Sequence, residues 1–426
     1  MADDTPIDWD ASYAGRAERM RASEIRELLQ LIGQPDIMSF AGGIPDPELF
    51  PTEAVREAYS TILADPRNGP NSLQYSVSEG YLPLRRWIVE YMTRIGVPCD
   101  VDNIVITSGA QQGLDYLGKL FLSSGDTALV TAPTYFGALQ AFNPYEPRYD
   151  IIAPEKGNAT PAVYREAAEA AGGRVALAYV VPDFANPTGE TLSEEARRRL
   201  LDLVTELGVP LIEDSAYYAL RFEGEPVAPC LALDLQRCGH IDRSRVAYCQ
   251  TFSKTIAPGF RVGWVCAARD LIQKIVLTKQ AGDLHAGTIN QMVVYEIART
   301  VYDDQVRKIV ATYSKRRDAM LAALARHMPE GVTWTTPQGG MFVWVTLPET
   351  LDGAELLAAA LQEERVAFVP GGAFICDGTR KNTIRLNYSL QPEAVYDEGM
   401  ARIGRVIARH MAAKGTSGVP RSSRAA

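Results

Sequence analysis

Apolar residues cluster in short runs through the middle of the chain, and each run is followed by a small-residue or polar stretch. Runs at 103–107, 127–131, 175–181, 209–212, 245–249 and 261–267 have the length and β-branched content of buried strands. Between them lie amphipathic stretches. Residues 15–32 place Met20, Ile25, Leu28, Leu29 and Ile32 on one helical face, and Gly33, Gln34 and Pro35 end the pattern. Residues 111–122 predict a helix, as do long patterns from Leu271 to about His327. From about Gly331 the texture changes. Strand-like runs at 337–344, 366–374 and 383–388 mix with helices and predict a smaller α+β domain. The stretch Lys414 to Ala426 is small, polar and basic, which predicts a disordered tail.

Composition narrows the class. A chain of 426 residues can bury one large core or two unequal ones. Its net charge of -9 argues against a nucleic-acid or anionic-membrane surface. The acidic start lacks an apolar signal region, and no apolar run approaches the length of a membrane span. The six cysteines and four histidines show no metal-ligand spacing. No metal is therefore expected, and reduced core cysteines fit a cytoplasmic location.

The chemistry centres on Lys254. It follows Thr251 and Ser253, precedes Arg261 by one short loop, and sits between two apolar runs. An amine condenses with a carbonyl only when neutral, so such a lysine needs burial or nearby positive charge, for which Arg261 is a source. The guanidinium of Arg261 and the hydroxyls of Thr251 and Ser253 together make a phosphate anchor beside an amine. The turn Ser108–Gly109–Ala110, between a strand and a helix, points free N–H groups at one spot, and that spot favours phosphate. Two further strands run into Asn186–Pro187–Thr188–Gly189 and into Glu213–Asp214–Ser215–Ala216–Tyr217. Polar residues just past strand ends are ligand candidates in open α/β sheets. Each motif alone also reads as an ordinary turn or helix cap.

In combination and order these motifs resemble the pyridoxal phosphate (PLP) aminotransferases of class I/II, fold type I, and in particular the branch of 2-aminoadipate and kynurenine aminotransferases. The resemblance spans roughly residues 15–410. It implies an α/β fold whose large domain holds a mostly parallel mixed sheet flanked by helices, beside a smaller α+β domain. The implied division is 1–60 for an N-terminal helix and active-site segment packing with the small domain, 61–325 for the large domain, 326–412 for the small domain and 413–426 for the tail. It also implies a cytoplasmic homodimer with shared active sites, in which Tyr75 reaches the partner's cofactor phosphate.

The same resemblance implies residue roles. Lys254 carries the cofactor and moves the proton. Gly109, Ala110, Gln111, Thr251, Ser253 and Arg261 surround the phosphate, Tyr135 stacks on the ring, Asp214 pairs with the pyridine nitrogen, and Asn186 and Tyr217 donate to its phenolate oxygen. Arg385 forks onto the α-carboxylate, Gly43 touches the substrate, and Ser23 and Arg26 face its side chain. If Arg26 receives a distal carboxylate, glutamate and 2-aminoadipate are the donors, with 2-oxoglutarate as an acceptor; aromatic and large apolar donors stay open. The chain departs from the branch where Ser215–Ala216 replaces a proline-containing motif. His285 is a weaker candidate acid or base than Lys254. A PLP lyase or decarboxylase could share every cofactor contact. A transcriptional regulator built on this fold would need a DNA-binding domain, for which the residues before the first helix leave no room.

Overall fold

The computed structural model describes residues 7–20 and 36–415. Its strands in chain order are β1 (Met38–Ser39), β2 (Ile104–Thr107), β3 (Thr127–Thr131), β4 (Arg148–Ile152), β5 (Val175–Val180), β6 (Leu211–Asp214), β7 (Val246–Thr251), β8 (Gly263–Cys266), β9 (Thr333–Trp334), β10 (Phe342–Thr346), β11 (Val366–Ala367), β12 (Val369–Pro370) and β13 (Thr383–Asn387). Seven of them form one sheet in the order β2-β8-β7-β6-β5-β3-β4. All run parallel except β8, which is antiparallel to both neighbours.

The near-continuous apolar runs are explained by burial of both sheet faces. Along β5 to β7, Leu177, Tyr179, Ile212, Ala247 and Cys249 face one core layer. Ala178, Val180, Leu211 and Tyr248 face the other. The first layer continues into the second sheet, β12-β13-β10-β9, through residues such as Phe342, Val343 and Leu386. The N-terminal segment joins that side: β1 pairs in parallel with β11, and Asn387 N–H donates to Phe40 O at 2.9 Å. Residues 41–43 are thereby drawn past β13.

Several element boundaries differ from the sequence pattern. Gly15–Arg19 is a 3-10 helix rather than the first turn of an amphipathic α-helix; residues 21–35 lie outside the described residues. The strand predicted at 209–212 starts and ends two residues later, so Glu213 and Asp214 belong to β6. The long helical region splits into Arg269–Gly282, Thr288–Thr300 and Tyr302–His327. The first break falls where Leu284 takes a left-handed φ of 65°, a conformation that stops an α-helix.

Candidate active site

Register brings the predicted chemistry to one edge. Thr107, Gly263 and Thr251 lie side by side across β2, β8 and β7. Because β8 is antiparallel, its beginning meets the carboxyl ends of its neighbours. Ser108–Gly109, Arg261 and Ser253–Lys254 therefore converge.

Gly109 has φ 79° and precedes the helix Ala110–Phe121. A Cβ there would lie 2.4 Å from Arg261 Nη2, so only glycine lets the guanidinium rest on this turn. Arg261 itself has φ 51°, and donates to Ser108 O at 3.3 Å and to Pro258 O at 3.2 Å. A helix start beside an arginine that bonds only to carbonyls is suited to an anion. Thr251 Oγ1 donates to Ser253 Oγ at 2.8 Å and accepts the Ser253 N–H at 3.1 Å. Thr251 Oγ1 also lies 3.3 Å from Val262 O, which it can reach as a donor, so the two hydroxyls form one short hydrogen-bonded chain beside the cavity.

Lys254 is half-buried, and its Nζ donates to Gly43 O at 3.0 Å. Burial first, then the charges of Arg385 and Arg261, pull its pKa down to about 8, against the opposing pull of Asp214. Arg261 is thus one of two arginines acting on the amine.

The adjacent acids of β6 have different tasks because successive strand residues face opposite sides. Glu213 is buried and accepts the N–H groups of Cys230 and Leu231 at 2.7 and 2.9 Å, at the start of the helix Cys230–Cys238. It is the helix cap. Asp214, on the same face as Ile212, accepts the Tyr179 hydroxyl at 2.9 Å through Oδ2. Its Oδ1 is buried and has no hydrogen-bond partner among the described residues. Burial raises its pKa to about 6, opposed by the Tyr179 hydroxyl, the nearby Ala216 amide and Lys254. In the Ser215–Ala216 stretch, where the chain departs from the motif expected by resemblance, Ser215 N–H donates to Cys249 O at 2.9 Å. This extends the pairing of β6 with β7 by a bond that proline could not make.

Arg385 pairs with Trp344 of β10 and Val369 of β12. It is buried at 4 % exposure. Nη1 donates to Asn186 Oδ1 at 2.8 Å and Nη2 to Ala41 O at 3.0 Å. The rings of Phe342 and Phe374 lie 4.4 and 5.1 Å from its guanidinium carbon. Nε has no partner, and burial lowers the pKa to about 10. Among the described residues no carboxylate pairs with it. A buried guanidinium in this state calls for an anion.

A cavity of about 160 Å³ is lined by Ala110, Gln111, Tyr135, Asp214, Tyr217, Thr251, Ser253, Lys254 and Arg261, together with Leu114, Val181, Ala216 and Pro258. Burial pushes the Tyr135 hydroxyl pKa up to about 12 and that of Tyr217 higher still, so both remain donors. Asn186 and Gly43 join this group through Arg385 and Lys254. Tyr75 does not line the cavity. It is 79 % exposed and its ring meets His285 edge to face at 6.0 Å. Ser23 and Arg26 lie outside the described residues.

Sequence reasoning missed Tyr179, Phe342 and Phe374. Tyr179 carried one signal: it pairs with Ile212, and so shares a face with Asp214 two residues on. The phosphorylated pyridine aldehyde implied by the sequence resemblance fits the site on three observations. Asp214 has an unpartnered Oδ1 for a ring N–H, Gly109 leaves room over Arg261, and Lys254 is held as an amine of lowered pKa.

The chain is similar to known proteins over nearly its whole length. The chain is 41% identical over 410 residues to aromatic-amino-acid aminotransferase 1 of Thermococcus litoralis, covering 95% of this chain and 96% of that one. It is 41% identical to the 2-aminoadipate transaminase of Thermus thermophilus, covering 94% and 98%. The crystal structure of LysN, an α-aminoadipate aminotransferase from Thermus thermophilus complexed with N-(5'-phosphopyridoxyl)-L-leucine, superposes with a TM-score of 0.85 at 39% identity, covering 96% of this chain and 100% of that one. Residues 35–403 match the family described as aminotransferase class I and II, and with relatives this similar over nearly their whole length the chain belongs to that family and is an aminotransferase.

Proposed function

We propose that this aminotransferase uses PLP to move the α-amino group of an L-amino acid to a 2-oxo acid such as 2-oxoglutarate. The observation that carries the cofactor assignment is the unpartnered Oδ1 of Asp214 in the cavity that Lys254 and Arg261 also line. When bound, PLP supplies an electron sink for the pair left by the departing α-proton. Asp214 pairs with the protonated ring nitrogen, and Asn186, through its amide nitrogen, and Tyr217 donate to the phenolate oxygen. Tyr135 covers the ring. Gly109, Ala110, Gln111, Thr251, Ser253 and Arg261 surround the phosphate.

Arg385 takes the α-carboxylate in its fork, steadied by Asn186 and by the two phenylalanine rings. This fixes the α-carbon next to Lys254. Lys254 Nζ, whose partner is the Gly43 carbonyl, is placed to take the α-proton and hold it as the ammonium. The donors we propose are 2-aminoadipate, glutamate and large apolar or aromatic amino acids, on the support of the relatives' named substrates. We also propose a cytoplasmic homodimer in which the exposed Tyr75 of one protomer faces the phosphate of its partner. The test mixes PLP-loaded protein with each donor and no acceptor, and follows the cofactor by absorbance and mass spectrometry. Amination of the cofactor with release of a 2-oxo acid is expected. Release of carbon dioxide or a side-chain fragment without amination overturns the proposal.

A further inference from the structure

Behind the Ser108–Gly109–Ala110 turn lies a polar cluster, built on one fully buried lysine and reaching the surface at Asp283, with no part in the chemistry above. Lys279, in the helix Arg269–Gly282, is 0 % exposed. Its ammonium donates to Asp283 Oδ1 and Oδ2, each at 2.9 Å, and to Gln112 Oε1 at 3.0 Å. Gln112 Oε1 also accepts the Ser108 N–H at 2.8 Å, while its Nε2 donates to Asp283 Oδ2 at 2.8 Å. Ser108 Oγ donates to the same Oδ2 at 3.1 Å, and Tyr116 donates to Oδ1 at 3.3 Å.

Ser108 is therefore gripped three ways: its N–H by Gln112, its hydroxyl by Asp283 and its carbonyl by Arg261. Asp283 is itself fastened, since its N–H and that of Leu284 both donate to Lys279 O at 3.0 and 2.9 Å. Lys279 thus holds Asp283 by backbone and side chain together. Stability alone does not call for burying the lysine of such a pair, because a buried charge replaced by a well-packed apolar group is often neutral or favourable. An apolar pair could neither hold the hydroxyl of Ser108 nor orient Gln112, which takes its N–H. The pair is also neutral as a whole. Without Lys279, the Asp283 carboxylate would stand uncompensated next to the turn that receives the phosphate.

We propose that Lys279, Asp283 and Gln112 form a positioning network that sets the Ser108–Gly109–Ala110 turn at the spacing a phosphate needs against Arg261. The proposal rests on the reading of this turn as the PLP phosphate cradle. Its test compares the affinity of cofactor-free protein for PLP and for pyridoxal, which has the same ring and aldehyde without the phosphate, in wild type, Lys279→Met and Gln112→Leu. Each variant leaves a polar group unsatisfied near the cradle, and a loss on the order of tenfold in PLP affinity is expected. Pyridoxal affinity should stay within about threefold of wild type, and the 31P resonance of bound PLP should shift. Gln112 is only half-buried, so Gln112→Leu carries the test if Lys279→Met does not fold. Equal losses for both ligands, or no loss for either, overturn the network's phosphate role while leaving the cofactor assignment standing. Failure of wild type to bind PLP overturns the cofactor assignment itself.

Discussion

Removing one hydroxyl behind Asp214 tests how its charge is maintained. Tyr179→Phe deletes the 2.9 Å hydrogen bond to Oδ2 and leaves the ring packed where it was, against Phe142 at 5.8 Å. A hydrogen bond to a charged group contributes about 1.5–3 kcal/mol, and one pKa unit corresponds to about 1.4 kcal/mol. In the cofactor-free protein the Asp214 pKa of about 6 should rise by about one to two units. At pH 7 the wild-type carboxylate is mostly ionised and the variant's is half or more protonated. Pairing with a protonated ring nitrogen requires the ionised form. PLP affinity should therefore fall by roughly two- to tenfold at pH 7 and converge with wild type near pH 9. Titration of PLP into cofactor-free protein across pH 5.5–9.5, followed by absorbance, reads this directly. Free PLP titrates identically in both experiments, so the difference between the curves reports on Asp214 and the Lys254 amine coupled to it. A loss that is constant across pH would refute the reasoning and make Tyr179 a packing residue only.

Three further outcomes follow from the same geometry. Asp214→Asn should stabilise the cofactor-free protein at pH 8 but not at pH 4: the folded pKa lies above the ordinary carboxylate value, so the carboxyl's contribution is present below pH 4 and is lost, on the order of 3 kcal/mol, as pH rises through about 6. Thermal melts at the two pH values check this, and equal differences would contradict it. Arg385→Lys keeps the charge but loses the planar fork between Asn186 and Ala41; kcat/KM for amino acids should drop by about 30- to 100-fold with PLP affinity unchanged. Gly109→Ala places a methyl 2.4 Å from Arg261 Nη2 at a φ of 79°, and PLP affinity measured by fluorescence quenching should weaken about tenfold or more.

How legible all this was in the sequence depended on where each residue found its partner. Lys254 and Asp214 could be read because each lies just past the end of an apolar run, and Arg385 because it lies inside one, where an arginine without an anion has few structural reasons to be. Tyr179 could not, because a tyrosine inside the run at 175–181 looks like any large core residue until β5 and β6 are placed in register. Lys279 is harder still. A lysine on an amphipathic helix reads as solvated, and its burial depends on Gln112, 167 positions away, folding over it. The break after Gly282 has no proline, and the residue that turns the chain left-handed is Leu284, which no turn preference would pick. Strand limits shifted for a related reason. Glu213 and Asp214 look like loop residues because they are charged, yet Glu213 satisfies the helix start at Cys230 and Leu231. That contact lets β6 run on through them.

The placement of the two arginines around Lys254 gives the amine a basicity that changes during the reaction. Burial, Arg385 and Arg261 each favour the neutral amine, in that order, and Asp214 alone among the named causes favours the ammonium. With the roles proposed above, a phosphate on Arg261 would offset one of the two cationic effects, and a substrate carboxylate on Arg385 would offset the other. Before either anion arrives, the amine is at its least basic and is ready to condense with an aldehyde. With both anions bound, the two cationic effects on the amine would be weaker, which makes it a stronger base than those charges alone allow. At that moment the α-proton must be removed. The ligands that create the demand for a base thus raise the basicity of the group that meets it, and they do so through guanidinium groups whose own charge is constant. Asp214 works in the same direction only while ionised. The hydrogen bond from Tyr179 that keeps it so therefore bears on the proton transfer at Lys254 as well as on the ring nitrogen.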